Sequence, residues 1–333
     1  MSSQPVSSNR IAVLDLGTNT FHLLIVEVAP DDSYKKIFKS KIAVKLGEGG
    51  IHLNYIAPKA FARGIKAMQH YAGVIEKYKV KNVHSFATAA IRSATNGIDF
   101  THAVFEKTGL KVNVIRGEEE ARLICLGVRQ AIRLNKEAVL IMDIGGGSTE
   151  FIIANRDQIY ARHSFNIGAA KLLELFHPSD PVTAAEISEI ESFLEEQLKA
   201  LDTSMSKYDI QSLIGCSGSF DTFAEMIGYR FHGRNVLKKV KAYTFELSEY
   251  CELHDILINS TIQQRRKMKG LIKMRIDMIV LASICTKFVL QRYNLNEMAL
   301  SKFALKEGAL WEIIKNANRN KSQEGHLSNI RML

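Results

Sequence analysis

Between Asp143 and Glu150 the sequence reads DIGGGSTE, and each residue type in that run has a use in handling an anion. Gly145, Gly146 and Gly147 carry no side chain, so the backbone can approach a ligand closely and turn its amides together toward negative charge. Ser148 and Thr149 add hydroxyl donors. Asp143 and Glu150 place hard oxygen ligands at either end, a donor set suited to a magnesium ion that keeps several waters; manganese accepts the same set. The run is not a Walker loop, because no Gly-Lys-Ser/Thr follows and the next segment reads as strand. A second run, DLGTNT, has the same make-up: Asp15, then Gly17, Thr18, Asn19 and Thr20. Alone it would pass for a hairpin turn, where glycine and asparagine are common. Together the two runs imply a phosphate gripped from both sides.

Hydrolysis of such a phosphate needs a carboxylate to orient and deprotonate water. Glu118, Glu119 and Glu120 follow Arg116 and Gly117 and supply candidates. By themselves they would serve equally as the acidic first turn that a helix dipole favours. His22 is the rival base, but its neighbours on an apolar strand argue for a structural place. The stretch ATAAIR, read as a strand end or loop, delivers Arg92. Its guanidinium can hold phosphoryl oxygens bidentately, or simply make a surface salt bridge.

These residues need elements to position them. Residues 11–28 and 138–154 each read as strand, tight turn, strand, and they align, with Leu14-Asp15-Leu16-Gly17 on Met142-Asp143-Ile144-Gly145. Two such hairpins point to two related halves facing each other, with a boundary near residues 130–137. Phe61, Ile65, Met68, Ala72 and Ile75 predict an amphipathic helix over 59–79. Short strands are expected over 83–87 and 111–115, and a helix over 118–133. Thr183 and Glu186 form a capping box opening a helix to Leu201. A strand running into a small-residue loop over 212–218, a helix over 219–226, further helices over 272–291 and 302–315, and a polar tail from Asn316, expected to fray, complete the chain.

With 333 residues, 46% of them hydrophobic, the chain can bury a sizeable core. MSSQPVSSNR carries no apolar run, so no signal peptide is expected. The longest apolar stretch, Met278 to Cys285, is too short to span a bilayer. The expectation is a soluble, cytoplasmic protein with no membrane partner. Four scattered cysteines without a C-x-x-C spacing suggest neither a zinc site nor a disulfide framework. The formal charge of +9 attracts polyanions. Part of it clusters at Arg230, Arg234, Lys238, Lys239 and Lys241, and again from Arg265 to Arg275. Charge alone would make these solvated helix faces. The aromatic stacking pattern of nucleic-acid binders is not apparent, so nucleic acid is not an expected partner.

In their order along the chain these motifs resemble the exopolyphosphatase and guanosine pentaphosphate phosphohydrolase (Ppx/GppA) family, within the superfamily of sugar kinases, actin and heat-shock chaperone ATPases. The resemblance covers residues 10–310 and rests on DLGTNTFHLLI, VKLGEGG, ATAAIRSATNG, IRGEEEARLI, MDIGGGSTEF, SFNIGAAKLLE and KMRIDMIV. It implies an α/β fold of two ribonuclease-H-like, actin-like domains with the active site in the cleft between them. Residues 9–132 would form the N-terminal domain, 133–315 the C-terminal domain and 316–333 the polar tail. Glu120, just before Ala-Arg, is the implied general base; Glu119 is the second choice, because three glutamates stand in a row. Asp143 and Glu150 match the metal-associated carboxylates and Arg92 the phosphate-contacting arginine. Asn19, Thr20, Gly145 to Gly147, Ser148 and Thr149 match the two phosphate loops. Arg275 and Asp277 match an Arg-x-Asp that is structural or channel-lining. Long members continue into a large helical domain, whereas this sequence ends at Leu333, so the expectation is the minimal two-domain enzyme. A homodimer is expected by family analogy only.

The expected activity is therefore that of a magnesium-dependent exopolyphosphatase, releasing orthophosphate from the end of inorganic polyphosphate. A guanosine pentaphosphate (pppGpp) 5'-phosphohydrolase is the alternative, since both substrates offer the same terminal group. The basic surface and the lack of an evident guanine pocket favour polyphosphate. A kinase of the superfamily would need an adenosine-binding loop, for which Gly215-Cys-Ser-Gly-Ser is a weak candidate. A non-catalytic polyphosphate or alarmone sensor would be expected to have lost the carboxylates that are present here.

Overall fold

The computed structural model describes residues 9–330, with side chains described as far as residue 317. The first half begins with β1 (Arg10–Leu16) and β2 (Thr20–Val28), whose near-continuous apolar runs suit strands covered on both faces. They pair antiparallel, with Asp15 opposite His22 and Leu16 opposite Phe21. The lysine-rich β3 (Tyr34–Ala43) pairs antiparallel with β2 and closes that edge, where charge discourages pairing with another chain. Helix α1 (Pro58–Lys77) starts on proline, whose missing N–H costs nothing at a first-turn position, and buries Met68, Tyr71 and Ile75. Then come β4 (Asn82–Ala87), the short α2 (Ala89–Ser93), α3 (Gly97–Thr108), β5 (Asn113–Val114) and α4 (Gly117–Ala131). The sheet order is β3-β2-β1-β4-β5, with β4 parallel to β1 and β5 parallel to β4.

The second half repeats the plan. It contains β6 (Val139–Ile144), β7 (Thr149–Ala154), β8 (Ile159–Phe165), α5 (Ala169–Phe176), α6 (Ala184–Gln197), α7 (Lys199–Met205) and β9 (Ser212–Cys216). These are followed by α8 (Ser217–Phe231), β10 (Ala242–Phe245), α9 (Leu247–Ile258), α10 (Ile262–Arg265), α11 (Ile279–Arg292), β11 (Glu297–Ser301) and α12 (Leu305–Ile330). The sheet order is β10-β11-β9-β6-β7-β8. Read from β8, the first five strands match the first sheet in order and direction, and β10 is an added antiparallel edge. Two such sheets are the ribonuclease-H-like pair of the actin-like fold.

A shared core joins the halves. Helices α4 and α12 lie between the two sheets, burying Leu123, Ile124, Val128 and Leu310 against Val13 and Val26 on one side and Ile141, Ile152 and Ile214 on the other. The two helices touch backbone to backbone. A Cβ at Gly308 would stand 1.8 Å from the Leu123 carbonyl oxygen, and one at Gly127 would stand 2.1 Å from that of Ala304. Only glycine permits this approach.

Local expectations needed adjustment in four places. ATAAIR is not a strand end or loop throughout: Arg92 stands on α2. The helix expected from Thr183 to Leu201 has its capping box but divides at Leu198 into α6 and α7. The helix expected over 272–291 begins only at Ile279, after a 3-10 turn at Lys273–Arg275 that sends Arg275 to Thr222 on α8. The backbone of α12 runs to Ile330, past the point where the polar tail begins, and residues 331–333 lie outside the described residues. Among the described residues no helix is long and apolar enough to cross a membrane.

Candidate active site

The two hairpin turns are built alike. In the first, the Gly17 N–H donates to the Thr20 carbonyl at 3.1 Å; in the second, the Gly145 N–H donates to the Ser148 carbonyl at 3.0 Å. Each turn joins the equivalent pair of strands in its sheet, β1–β2 and β6–β7, and the halves face each other so that the turns meet. A Cβ on Gly146 would lie 2.5 Å from Asn19 Nδ2, and one on Gly147 would lie 2.9 Å from Thr18 Oγ1. Between them opens a cavity of about 440 Å³. Asp15, Gly17, Thr18, Asn19, Thr20, Gly145, Gly146, Gly147, Ser148, Asp143, Glu150 and Glu120 all line it.

The carboxylates are placed by register. Asp143 and Glu150 are direct partners across β6 and β7, so their side chains share one face of the sheet. Both are buried. Ser217 Oγ donates to Asp143 Oδ2 at 2.6 Å, while Ser148 Oγ and Ser164 Oγ donate to Glu150 Oε1 at 2.6 and 2.8 Å. Burial, and then the nearby charge of Asp143, push the Glu150 carboxyl up to about 7. Burial raises Asp143 as well, against the hydrogen bond from Ser217. In the other half, burial lifts Asp15 to about 6, with Asp143 adding and Lys306 opposing.

Glu120 stands in the first turn of α4 and is buried. Burial raises its carboxyl well above the usual range, Glu150 adds to this, and Arg92 works against it. Arg92 Nη1 donates to Glu120 Oε2 at 2.7 Å and to the Ile115 carbonyl at 3.2 Å.

Three expected residues are turned elsewhere. Glu119 takes two bonds from Arg122, at 2.7 and 2.8 Å, and Arg122 also reaches Glu312 on α12; Glu119 is not on the cleft wall. Helix spacing gives the reason. Glu120 leads a stripe buried at Leu123, Ile124 and Gly127, three, four and seven residues on, whereas Glu119 has Arg122 and Leu126, neither fully buried, at three and seven. Thr149 points to the opposite face of β7 from Glu150 and donates to the Ile167 carbonyl at 3.1 Å. The guanidinium of Arg92 binds Glu120 rather than lining the cavity.

Other residues at the site carry no assignment from sequence. Ser164, on β8, lies inside a quoted motif without a role, and Ser217 belongs to the loop weighed as an adenosine site. Lys306, in the first turn of α12, faces the cleft and pairs with Glu307 at 3.3 Å. Lys39 and Lys41 reach the same wall from β3, two residues apart as a shared strand face requires. His22 also lines the cleft, with no hydrogen-bond partner on Nδ1 among the described residues. Burial and the surrounding lysines hold it well below the ordinary histidine range, so it is neutral.

The cleft fits a hard cation. Its oxygen donors are buried, which is the main cause of the raised Glu150 and Asp15, and the charge of Asp143 adds to it; a positive ion would offset both costs. Among the described residues no three Asp, Glu, His or Cys side chains converge on one point. One or two carboxylates completed by water and phosphate are what magnesium commonly takes.

The model of the Ppx/GppA phosphatase family matches residues 24–317. The chain belongs to the Ppx/GppA phosphatase family. An exopolyphosphatase from Cytophaga hutchinsonii superposes with a TM-score of 0.89 at 35% identity, over 92% of this chain and 98% of that one. A bifunctional 3-dehydroquinate synthase/phosphatase of Fusobacterium nucleatum is 32% identical over 92% of this chain. A guanosine-5'-triphosphate,3'-diphosphate pyrophosphatase of Photobacterium profundum is 28% identical over 99% of it. The chain spans 46% and 64% of the lengths of these last two relatives. This Ppx/GppA member therefore shares their family core; the family match begins at Leu24, within β2 and just after the first hairpin turn, and takes in the second turn.

Proposed function

We propose that this protein hydrolyses the terminal phosphate of a polyphosphate chain, releasing orthophosphate. The observation that carries the reading is the meeting of two phosphate-type turns across one cleft, with Glu120 buried at its floor beside Asp143 and Glu150. The terminal phosphoryl group sits between the turns, held by backbone amides and the hydroxyls of Thr18 and Ser148. Glu120 orients a water in line with phosphorus and takes its proton as the new P–O bond forms and the bridging P–O bond breaks. Arg92 fixes the carboxylate of Glu120 for that task. A magnesium ion held by Asp143 and Glu150 would supply charge neutralisation for the loose transition state.

Inorganic polyphosphate is the favoured substrate, supported by Lys39, Lys41, Lys302 and Arg275 on the cleft wall, which suit a chain of phosphates continuing outward. A second reading, guanosine pentaphosphate, is favoured by the Photobacterium relative's name. The activity is proposed for the cytoplasm. Phosphate release with magnesium, from medium-length polyphosphate and from guanosine pentaphosphate at equal terminal-group concentration, tests both. Faster release from polyphosphate supports the first reading, preference for the nucleotide supports the second, and no release from either overturns hydrolysis.

A further inference from the structure

The segment after β3, residues 44–53, is the backing of the first phosphate turn. The Val44 and Lys45 N–H groups donate to the Asn19 carbonyl at 3.0 and 2.9 Å, and the Leu46 N–H donates to that of Thr18 at 2.7 Å. Helix α5 is the corresponding backing of the second turn: its Ala169 N–H donates to the Gly145 carbonyl at 2.9 Å and its Ala170 N–H to that of Gly146 at 3.0 Å. One side chain joins these two supports. Glu174, in the last turn of α5, accepts the Gly49 N–H on Oε1 at 3.0 Å and His52 Nδ1 on Oε2 at 2.8 Å. Ile51, between those partners, is also packed close to Gly147.

We propose that Glu174 is a positioning residue that sets the gap between the two phosphate turns, by clasping residues 44–53 of the first half to α5 of the second. An exposed ion pair holding two long side chains usually contributes little. This contact differs in kind. One partner is a backbone amide, already fixed by its segment, and a carboxylate accepting an N–H makes a charge-assisted bond. Gly49 has φ +72°, a left-handed conformation that glycine adopts without strain and that aims its amide at the carboxylate. The bond runs from one half to the other, so breaking it slackens this side of the junction, which the shared core of α4 and α12 does not brace, rather than loosening a helix. The proposal rests on the turns being the phosphate grip, but the clasp exists without substrate and is tested without it.

The experiment is amide hydrogen exchange on the substrate-free protein, followed in peptides covering residues 16–20 and 145–150, for wild type, Glu174→Ala, Glu174→Gln and His52→Ala. Glu174→Ala is expected to speed exchange in both turns together by about tenfold, the scale of one lost charge-assisted bond. His52→Ala, which keeps the Gly49 bond, gives a smaller change, and Glu174→Gln, whose amide oxygen still accepts from Gly49, recovers part of the protection. In phosphate release, Glu174→Ala lowers kcat more than it raises KM, with the melting temperature little changed. Unaltered exchange in the turns, or faster exchange confined to α5, overturns the proposal. A wild-type protein that releases no phosphate defeats the hydrolase reading instead, and the exchange result still decides the clasp.

Discussion

The guanidinium of Arg92, on α2, donates to the carboxylate of Glu120, on α4, at 2.7 Å, and this bond ties the buried proposed base to a neighbouring element of the same half. A buried carboxylate so held has its orientation set by the bond. Glu120→Gln keeps the shape and removes the proton acceptor, so kcat should fall roughly 10²- to 10⁴-fold while polyphosphate binding, measured by calorimetry, stays near normal. Arg92→Ala should lower kcat less, and Arg92→Lys should recover only part of the loss, because one ammonium cannot keep the Nη1 bonds to Glu120 and the Ile115 carbonyl and also the Nη2 contact with Ser164.

The contact between the two turns gives a second expectation. Gly146→Ala would drive a methyl group into Asn19 and Thr18, where the turns meet. Activity should drop by at least tenfold, while circular dichroism shows an intact fold. The same change at Gly73, where a Cβ would meet nothing within 4 Å, should leave activity unaltered and serves as the control.

Both turns are legible in the sequence because each is made from consecutive residues whose types state their use. The hairpin register carries Asp143 and Glu150 with it. Ser164, Ser217 and Lys306 are not legible in that way, since each arrives from a separate element and only the packing brings them to the carboxylates. The strands β10 and β11 carry no such signal: they are four and five residues long, and β10 is an added antiparallel edge without a counterpart in the first half. Glu120 over Glu119 was legible in principle, from the stripe it shares with Ile124 and Gly127 on α4.

Acidity should matter to stability in a defined sense. The carboxyl of Asp15 is raised from 3.8 to about 6 in the folded chain, so its contribution to stability is fully present below 3.8 and is lost as pH rises through about 6. With divalent ions chelated, the melting temperature of wild type should therefore lose more than that of Asp15→Asn between about pH 5 and pH 7. Equal losses in the two proteins would remove Asp15 from the account.

Chelation should also stop turnover. Excess EDTA is expected to reduce phosphate release to background, and added magnesium to restore it. Asp143→Asn and Glu150→Gln should each require a higher magnesium concentration for half-maximal rate. A rate indifferent to chelator would dismiss the cation from the mechanism.

Packing between α4 and α12 leaves no room for a methyl group. Gly308→Ala would press on the Leu123 carbonyl and the Gly127 amide, so roughly 1–3 kcal/mol of stability should be lost, as overpacking a tight contact does, visible in urea unfolding.

That helix contact has a mechanical side. Glu120 and Lys306 stand on the first turns of α4 and α12, the two helices that touch at Gly127 and Gly308 between the sheets. If the halves rock about this contact, it is the fulcrum, and the parts of the molecule nearest to it travel least. The bonds from Glu174 to Gly49 and His52 are a second tie between the same two halves, made by other elements. Jaws opening to admit a chain of phosphates would stretch that tie first, while Glu120, the proposed base, rides on the fulcrum helix and hardly stirs.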